Sequence, residues 1–478
     1  MSASEYRKPE IQTDFSSMPT WLYLVIVVVL YAFGAFSFFD IISKPENKEF
    51  LDRFSEGIQA ILPLALPFLP LLFAFIAIFL FITIILAYVI VWIMSKLAQE
   101  VTIAVSILFP IVMIGIGGFV LILDPELIIF GLILAGVGAL FLFLVIWKFT
   151  TIKRSGQFVE FSAQLVLDEK AVLAMPILLG FYTIITGFFM LFGFLEIFSL
   201  FTVETSPGET EISPIAYIFV ILFEYIYLIV YLGVYYSLGA GVVSYASDWY
   251  RGLDPDLNSA MKDVRQVFPI ILKFAFVMAT VKVIMQVASQ ATRDAARTAD
   301  RRGGGAVIAG FIGAAIAGLF ISILGAIWMF VNYFTIVSIV QNKQGLKDSI
   351  KDSAYTTWNS LLDVLVGETG FGLTTFIFWI INALIWIVTG FGLGWAVSGE
   401  LVFAGIFAFI FFILGNFPYG MVTQPMNVAF RSFMYSYAKD TIEGYTKPSR
   451  LPAELRTEFK TLAREDRKRR MRDPTQFF

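Results

Sequence analysis

The chain has 478 residues, 58% hydrophobic and 15% charged, with a mean hydropathy of +0.80, far above the apolar share of a soluble domain. It contains no cysteine and no histidine, which excludes disulfides, thiolate nucleophiles, imidazole bases, and zinc or haem sites built on those ligands. The formal net charge of −3 carries little information; where the charges sit carries more.

Apolar runs of roughly 20 residues, the length that crosses a bilayer, recur about ten times. The sequence therefore predicts an all-α polytopic membrane protein of about ten spans; a β-barrel would show short alternating strands instead. Met1–Thr20 is a polar N-terminal segment. Trp21–Thr150 reads as a four-span module: Trp21–Ile42, a span from about Leu71 to Met94 behind the helix-breaking Pro63, Pro67 and Pro70, and a hairpin of Val101–Leu123 with Leu127–Trp147. Ser43–Gly57 is a mixed-charge loop between the first two spans.

Thr151–Thr446 reads as three copies of one unit, an in-plane amphipathic helix followed by a pair of crossings. The in-plane segments are Ser155–Lys170, Leu257–Gln266 and Gly345–Gly367, ending at a roughly even spacing. In the third, Leu346, Ile350, Ala354, Trp358, Leu361 and Leu365 share one face, and Lys347, Asp348, Lys351, Asp352 and Asn359 fill the other, expected to face water. The paired crossings are Ala171–Thr202 with Ile215–Val243, Val267–Ser289 with Ala306–Val340, and Phe371–Val397 with Leu401–Phe430. Their links are Val203–Ser213, an arginine-bearing loop over Arg293–Arg302, and Gly399-Glu400. Lys447–Phe478 is a basic tail. Lys and Arg concentrate on one side of this scheme, which predicts a multi-pass protein of the cell membrane with both termini cytoplasmic, the Arg293–Arg302 loop dissenting.

Few residues stand out as chemical. Glu224 falls mid-span, where an unpaired charge costs at least roughly 2.5–3.5 kcal/mol, and Lys282 in the next run is a candidate partner. Together they read either as an ion relay or counter-charge, or as a structural pair. Asn332, Asn382 and Asn416 are single amides in apolar runs, for which interhelical hydrogen bonding is the ordinary role and a transport site the alternative. The last span is predicted to break at Asn416–Gly420 and at Gln424-Pro425. Gly310, Ala314 and Gly318 form a small-residue face suited to close helix packing. Arg467, Lys468, Arg469, Arg470 and Arg472 form a cluster that attracts anionic lipid headgroups or anchors the topology. No phosphate loop, dinucleotide fingerprint, catalytic triad or metalloprotease motif is present, and no cofactor is implied.

Three stretches carry a family resemblance: FSAQLVLDEKAVLAMPILLG opening the first hairpin of the repeat region, KDSIKDSAYTTWNSLLDVLVGETG before its fifth span, and NVAFRSFMYSYAKD closing its last. On these, Ile152–Lys447 resembles a prokaryotic, mostly archaeal, family of six-span membrane proteins of unknown function. It is distantly similar to the membrane domain attached to some glycerophosphodiester phosphodiesterases. The resemblance implies fold and prokaryotic origin, and no hydrolase, since the soluble catalytic domain is missing. The expectation is a non-enzymatic structural or assembly component of a membrane complex, partnered by the bilayer and by other proteins or copies of itself, with no nucleic acid. The alternative is a transporter or channel for an ion or small solute using Glu224, Lys282 and the broken last span.

Overall fold

The computed structural model describes residues 18–44, 69–123, 127–206, 209–302, 305–443 and 449–450. Helices α1 (Met18–Ser43), α2 (Leu69–Leu123), α3 (Ile128–Trp147) and α4 (Phe149–Asp168) come first, then a short 3-10 turn at Lys170–Leu173 and α5 (Ala174–Leu200). A two-stranded antiparallel hairpin, β1 (Thr202–Ser206) with β2 (Glu209–Ile212), forms the connection that the sequence left as a link. The remainder is α6 (Pro214–Tyr250), α7 (Leu257–Arg302), α8 (Gly305–Val331), α9 (Thr335–Asn342), α10 (Leu346–Asn359), α11 (Leu361–Ser398) and α12 (Leu401–Glu443).

Among the described residues nine helical stretches are long and apolar enough to cross a membrane. Large apolar side chains stand outward along them, Ile122 at 83% and Ile129 at 74% exposure among them, a surface that suits lipid and would aggregate in water. The protein is a multi-pass helical membrane protein. Its first turns of α1 pack near the start of α7, where the Tyr23 ring meets Phe268 edge-on, and Lys44 beyond the other end of α1 bonds Ser199 and Glu196 at the far end of α5. Met18 and Glu443 thus lie toward the same end of the bundle. That end also gathers α4, α9 and α10, and is called the polar end below.

Several predicted boundaries move. The expected break after Met94 does not occur: α2 runs 55 residues unbroken through Ser95–Glu100, about 80 Å at ~1.5 Å per residue, so one helix stands where two crossings were expected. Helix α4 covers the polar point. Gly156 lies so close to Gln99 that a Cβ there would sit 2.5 Å from its Cα, and the Glu160 carboxylate accepts the Gln99 backbone N–H at 3.0 Å. The expected arginine loop is helical as far as Arg302, the last turns of α7. The second in-plane helix is absent as a separate element, because Leu257–Gln266 continues directly into the crossing. Helix α12 passes through Pro418 and Pro425 without a break. On either side of the first proline, Asn416 bonds Phe412 O at 2.7 Å and Thr423 bonds Tyr419 O at 3.0 Å, each a side-chain bond one turn back in the same helix. Of the small-residue face, Gly318 meets nothing within 4 Å of a built Cβ; the close approach of α7 to α8 falls instead at Gly325, against Met285.

One break was not expected. The predicted crossing Ala306–Val340 stops at Asn332–Phe334 and restarts as α9. Helix α10 repairs it: Ser353 Oγ donates to Val331 O at 2.8 Å and accepts the Phe334 N–H at 2.9 Å, satisfying two main-chain groups the break leaves open. For this α10 turns its small polar side inward. Ser349, Ser353, Thr356 and Thr357 are fully buried, while Tyr355 and Trp358 are 50% and 72% exposed. Lys347, Asp348, Lys351 and Asn359 face outward as expected, and Leu346, Ile350 and Ala354 are half-buried. The helix is thus turned to bury a hydroxyl stripe rather than its whole apolar face, and Trp358 and Asp352 change sides. Packing against a broken helix needs hydroxyls, and the outward aromatics suit a membrane interface.

Candidate functional site

The polar end is held by ion pairs between elements far apart in sequence. Arg251, after α6, meets Asp440 on α12 at 2.7 Å with both side chains buried, and Tyr250 donates to the same carboxylate. Lys343 closes α9 in the left-handed region at φ 50°, unusual for a side chain of its size. Its ammonium is fixed by Asp263 and Gln266 of α7, each at 2.9 Å. Asp352, expected in water, instead gathers Lys439 and Tyr435 of α12, Ser338 at 2.7 Å and Asn342 at 3.2 Å.

Just inside this layer, between α6, α7, α12 and the α8–α9 break, lies a cavity of ≈ 280 Å³. Tyr235, Tyr236, Phe274 and Met278 give it aromatic and apolar walls, and Asn332, Gln424 and Arg431 supply polar groups. Each has a structural origin. The break at Asn332 turns that side chain into a cap, its Nδ2 bonding Trp328 O at 3.0 Å and its Oδ1 accepting from Thr335 at 3.2 Å. Arg431 Nε bonds Glu368 Oε1 of α11 at 2.8 Å, and its guanidinium lies 5.0 Å over the Tyr333 ring. The Tyr333 hydroxyl donates to the same Glu368 oxygen. Gln424 Oε1 is buried and has no hydrogen-bond partner. Gly239 lines the cavity too, and a Cβ built on it would meet nothing within 4 Å, so the wall is open there. Arg431 remains 42% exposed although its ion pair lies within candidate spans, because it looks into this space; Met329, 65% exposed, stands at the rim.

Of the residues singled out from sequence, only Asn332 belongs to this site. Glu224 is half-buried on α6, but its partner is Gln286 Nε2 at 2.9 Å, not Lys282. Lys282 sits one turn nearer the polar end with its side chain exposed, so the proposed pair is corrected to an amide–carboxylate contact. Asn382 Nδ2 donates to Asn416 Oδ1 at 3.1 Å between α11 and α12. Arg467, Lys468, Arg469, Arg470 and Arg472 lie outside the described residues. Arg431, Glu368 and Gln424 were not singled out as a site. Each is a single polar residue within a few turns of a span end, where snorkelling is the ordinary reading, and only the fold turns Arg431 inward. No family model and no curated protein matches the chain.

Proposed function

We propose that this protein is a non-enzymatic carrier of the cell membrane, which binds a small solute within its bundle and transports it. The observation that carries this is the cavity at Arg431: a charge inside candidate spans is costly, and this guanidinium, paired with Glu368, lines open space rather than packed helices. On this reading the solute meets Arg431, Gln424 and Asn332, and the observation that favours them over Glu224 and Lys282 is that they share one cavity. Lys148, Lys153, Arg154, Arg251, Lys343 and Lys347 cluster at the polar end, which supports a cytoplasmic position for that end and for both termini. The likeness of Ile152–Lys447 to the six-span prokaryotic family supports a prokaryotic cell membrane.

The test is retention of a solute. The purified full chain and Gly239→Leu, which fills the open wall, are equilibrated with a small-molecule extract and their bound molecules read by mass spectrometry. A molecule held by the wild type, lost from Gly239→Leu and then moved by wild-type liposomes supports the reading. Identical profiles from the two proteins sink it. A second reading, a structural or assembly component, is favoured by the apolar hairpin of α3 with the end of α2. Gly115, Gly118 and Gly136 there face open space. It expects a stoichiometric partner in native purification, and a chain that purifies alone rules against it.

A further inference from the structure

Resting on the binding reading above, we infer that the cavity takes a small amphipathic carboxylate, with its anionic head on Arg431, an N–H or O–H donor at Gln424, and an apolar body along Phe274 and Met278. The charge argument comes first. Glu368 engages the Nε edge of Arg431 from α11, yet Glu368 is not among the residues lining the cavity, so the guanidinium is the charge that the wall presents. A planar guanidinium matches a carboxylate, and one cation already partly neutralised suits a monoanion better than a dianion. The second argument is the Gln424 amide oxygen, buried without a hydrogen-bond partner. An acceptor in that state costs free energy until a donor reaches it, and a ligand N–H or O–H is such a donor. The third is size. At ≈ 280 Å³ the cavity lies just below the usual range of binding pockets, roughly 300 to 1,000 Å³, so it suits a metabolite-sized molecule.

The chain has no cysteine, so Gly239→Cys places one thiol where a side chain meets nothing. In nanodiscs, its modification rates with an anionic sulfonatoethyl and a cationic trimethylammonioethyl methanethiosulfonate report the sign of the field in the cavity. The anionic reagent is expected to react faster by about tenfold relative to the pair's rates on a free thiol. Glu368→Gln raises that preference, Arg431→Lys keeps it, and the double variant Arg431→Gln/Glu368→Gln, which leaves no unpaired charge behind, removes it. 3-Phenyllactate, with carboxylate, hydroxyl and ring, slows the modification, whereas the neutral 3-phenyllactamide does not. Equal or faster reaction of the cationic reagent overturns the carboxylate assignment and leaves an accessible cavity standing. Protection by the amide as strong as by the acid also overturns it. If neither reagent reacts, the cavity is closed to water and the binding reading falls with the ligand.

Discussion

At the scale of single residues, the structure is informative where a polar side chain replaces missing main-chain bonds. Ser353 serves the break between α8 and α9 with one hydroxyl, accepting from Phe334 and donating to Val331. Ser353→Ala leaves both groups buried and unpaired and is expected to cost about 1–3 kcal/mol in mixed-micelle denaturation. Thr369→Ala, which loses only a bond to its own helix at the exposed Leu365 carbonyl, is expected to stay within about 0.5 kcal/mol. Glu160 gives a pH signature. Burial in the α2–α4 contact raises its carboxyl above the ordinary value of 4.5, with the Gln99 N–H pulling the other way. The folded state thus holds that proton better than the unfolded chain does. Stability is highest below the ordinary value and falls as pH rises through the raised one. Melting temperatures followed from acid to neutral pH should show that decline in the wild type and not in Glu160→Gln, which keeps an acceptor for Gln99. Parallel curves would refute the assignment.

At the scale of elements, α11 and α12 approach through glycines. A Cβ on Gly390 would lie 2.7 Å from Phe407 O, and one on Gly394 2.7 Å from Ala404 Cα, backbone that cannot step aside. Gly390→Ala or Gly394→Ala is expected to cost about 1–3 kcal/mol by overpacking. Gly392→Ala, with nothing within 4 Å, should be neutral or stabilising by up to about 1 kcal/mol. Equal effects at the three positions would show that this crossing is looser than described. Helix α2 raises a different question, because its 46-residue apolar stretch is about 70 Å long against a hydrocarbon core of ~30 Å. Its only charges, Lys96 and Glu100, are exposed near the middle, so the helix is expected to reach water there. Single cysteines at Lys96 and Glu100 should react with a membrane-impermeant maleimide, and those at Ile82 and Ile116 should not. An unreactive Lys96 position would place the whole helix in lipid.

For the whole molecule, cohesion at the polar end rests on charges that join distant segments. Arg251 with Asp440 ties α6 to α12, Lys343 with Asp263 ties α9 to α7, and Lys439 with Asp352 ties α12 to α10. Asp440→Asn takes the carboxylate away from a buried guanidinium and is expected to cost about 3–5 kcal/mol. The apolar pair Arg251→Met/Asp440→Leu should recover most of that loss, because breaking a buried pair costs more than replacing it. A double variant as unstable as the single one would mean that the pair does more than balance charge. Helices α6, α7, α9 and α12, which these pairs tie together, are also the ones that line the open space at Arg431.

Membrane residence and helical class follow from the sequence alone, because roughly 20 apolar residues in a row have few other stable fates. The turn between Leu123 and Leu127 was legible for the same reason, as were both ends of Trp21–Ile42, Leu127–Trp147 and Ala171–Thr202, whereas most other crossings run on beyond their apolar cores. Which polar groups meet was not. Glu224 and Lys282 looked like partners by position along neighbouring runs, yet the register of α6 against α7 gives Glu224 to Gln286. Asp352 looked solvated by its helical face, yet α10 rotates its hydroxyls and that carboxylate inward to mend a break the apolar run concealed. Hydrophobic periodicity reports how long a segment is and which face is apolar. In lipid both faces of a helix can be apolar, so rotation and partner are chosen by close packing and polar satisfaction between helices. Those are tertiary quantities, and the cavity at Arg431 exists only through them.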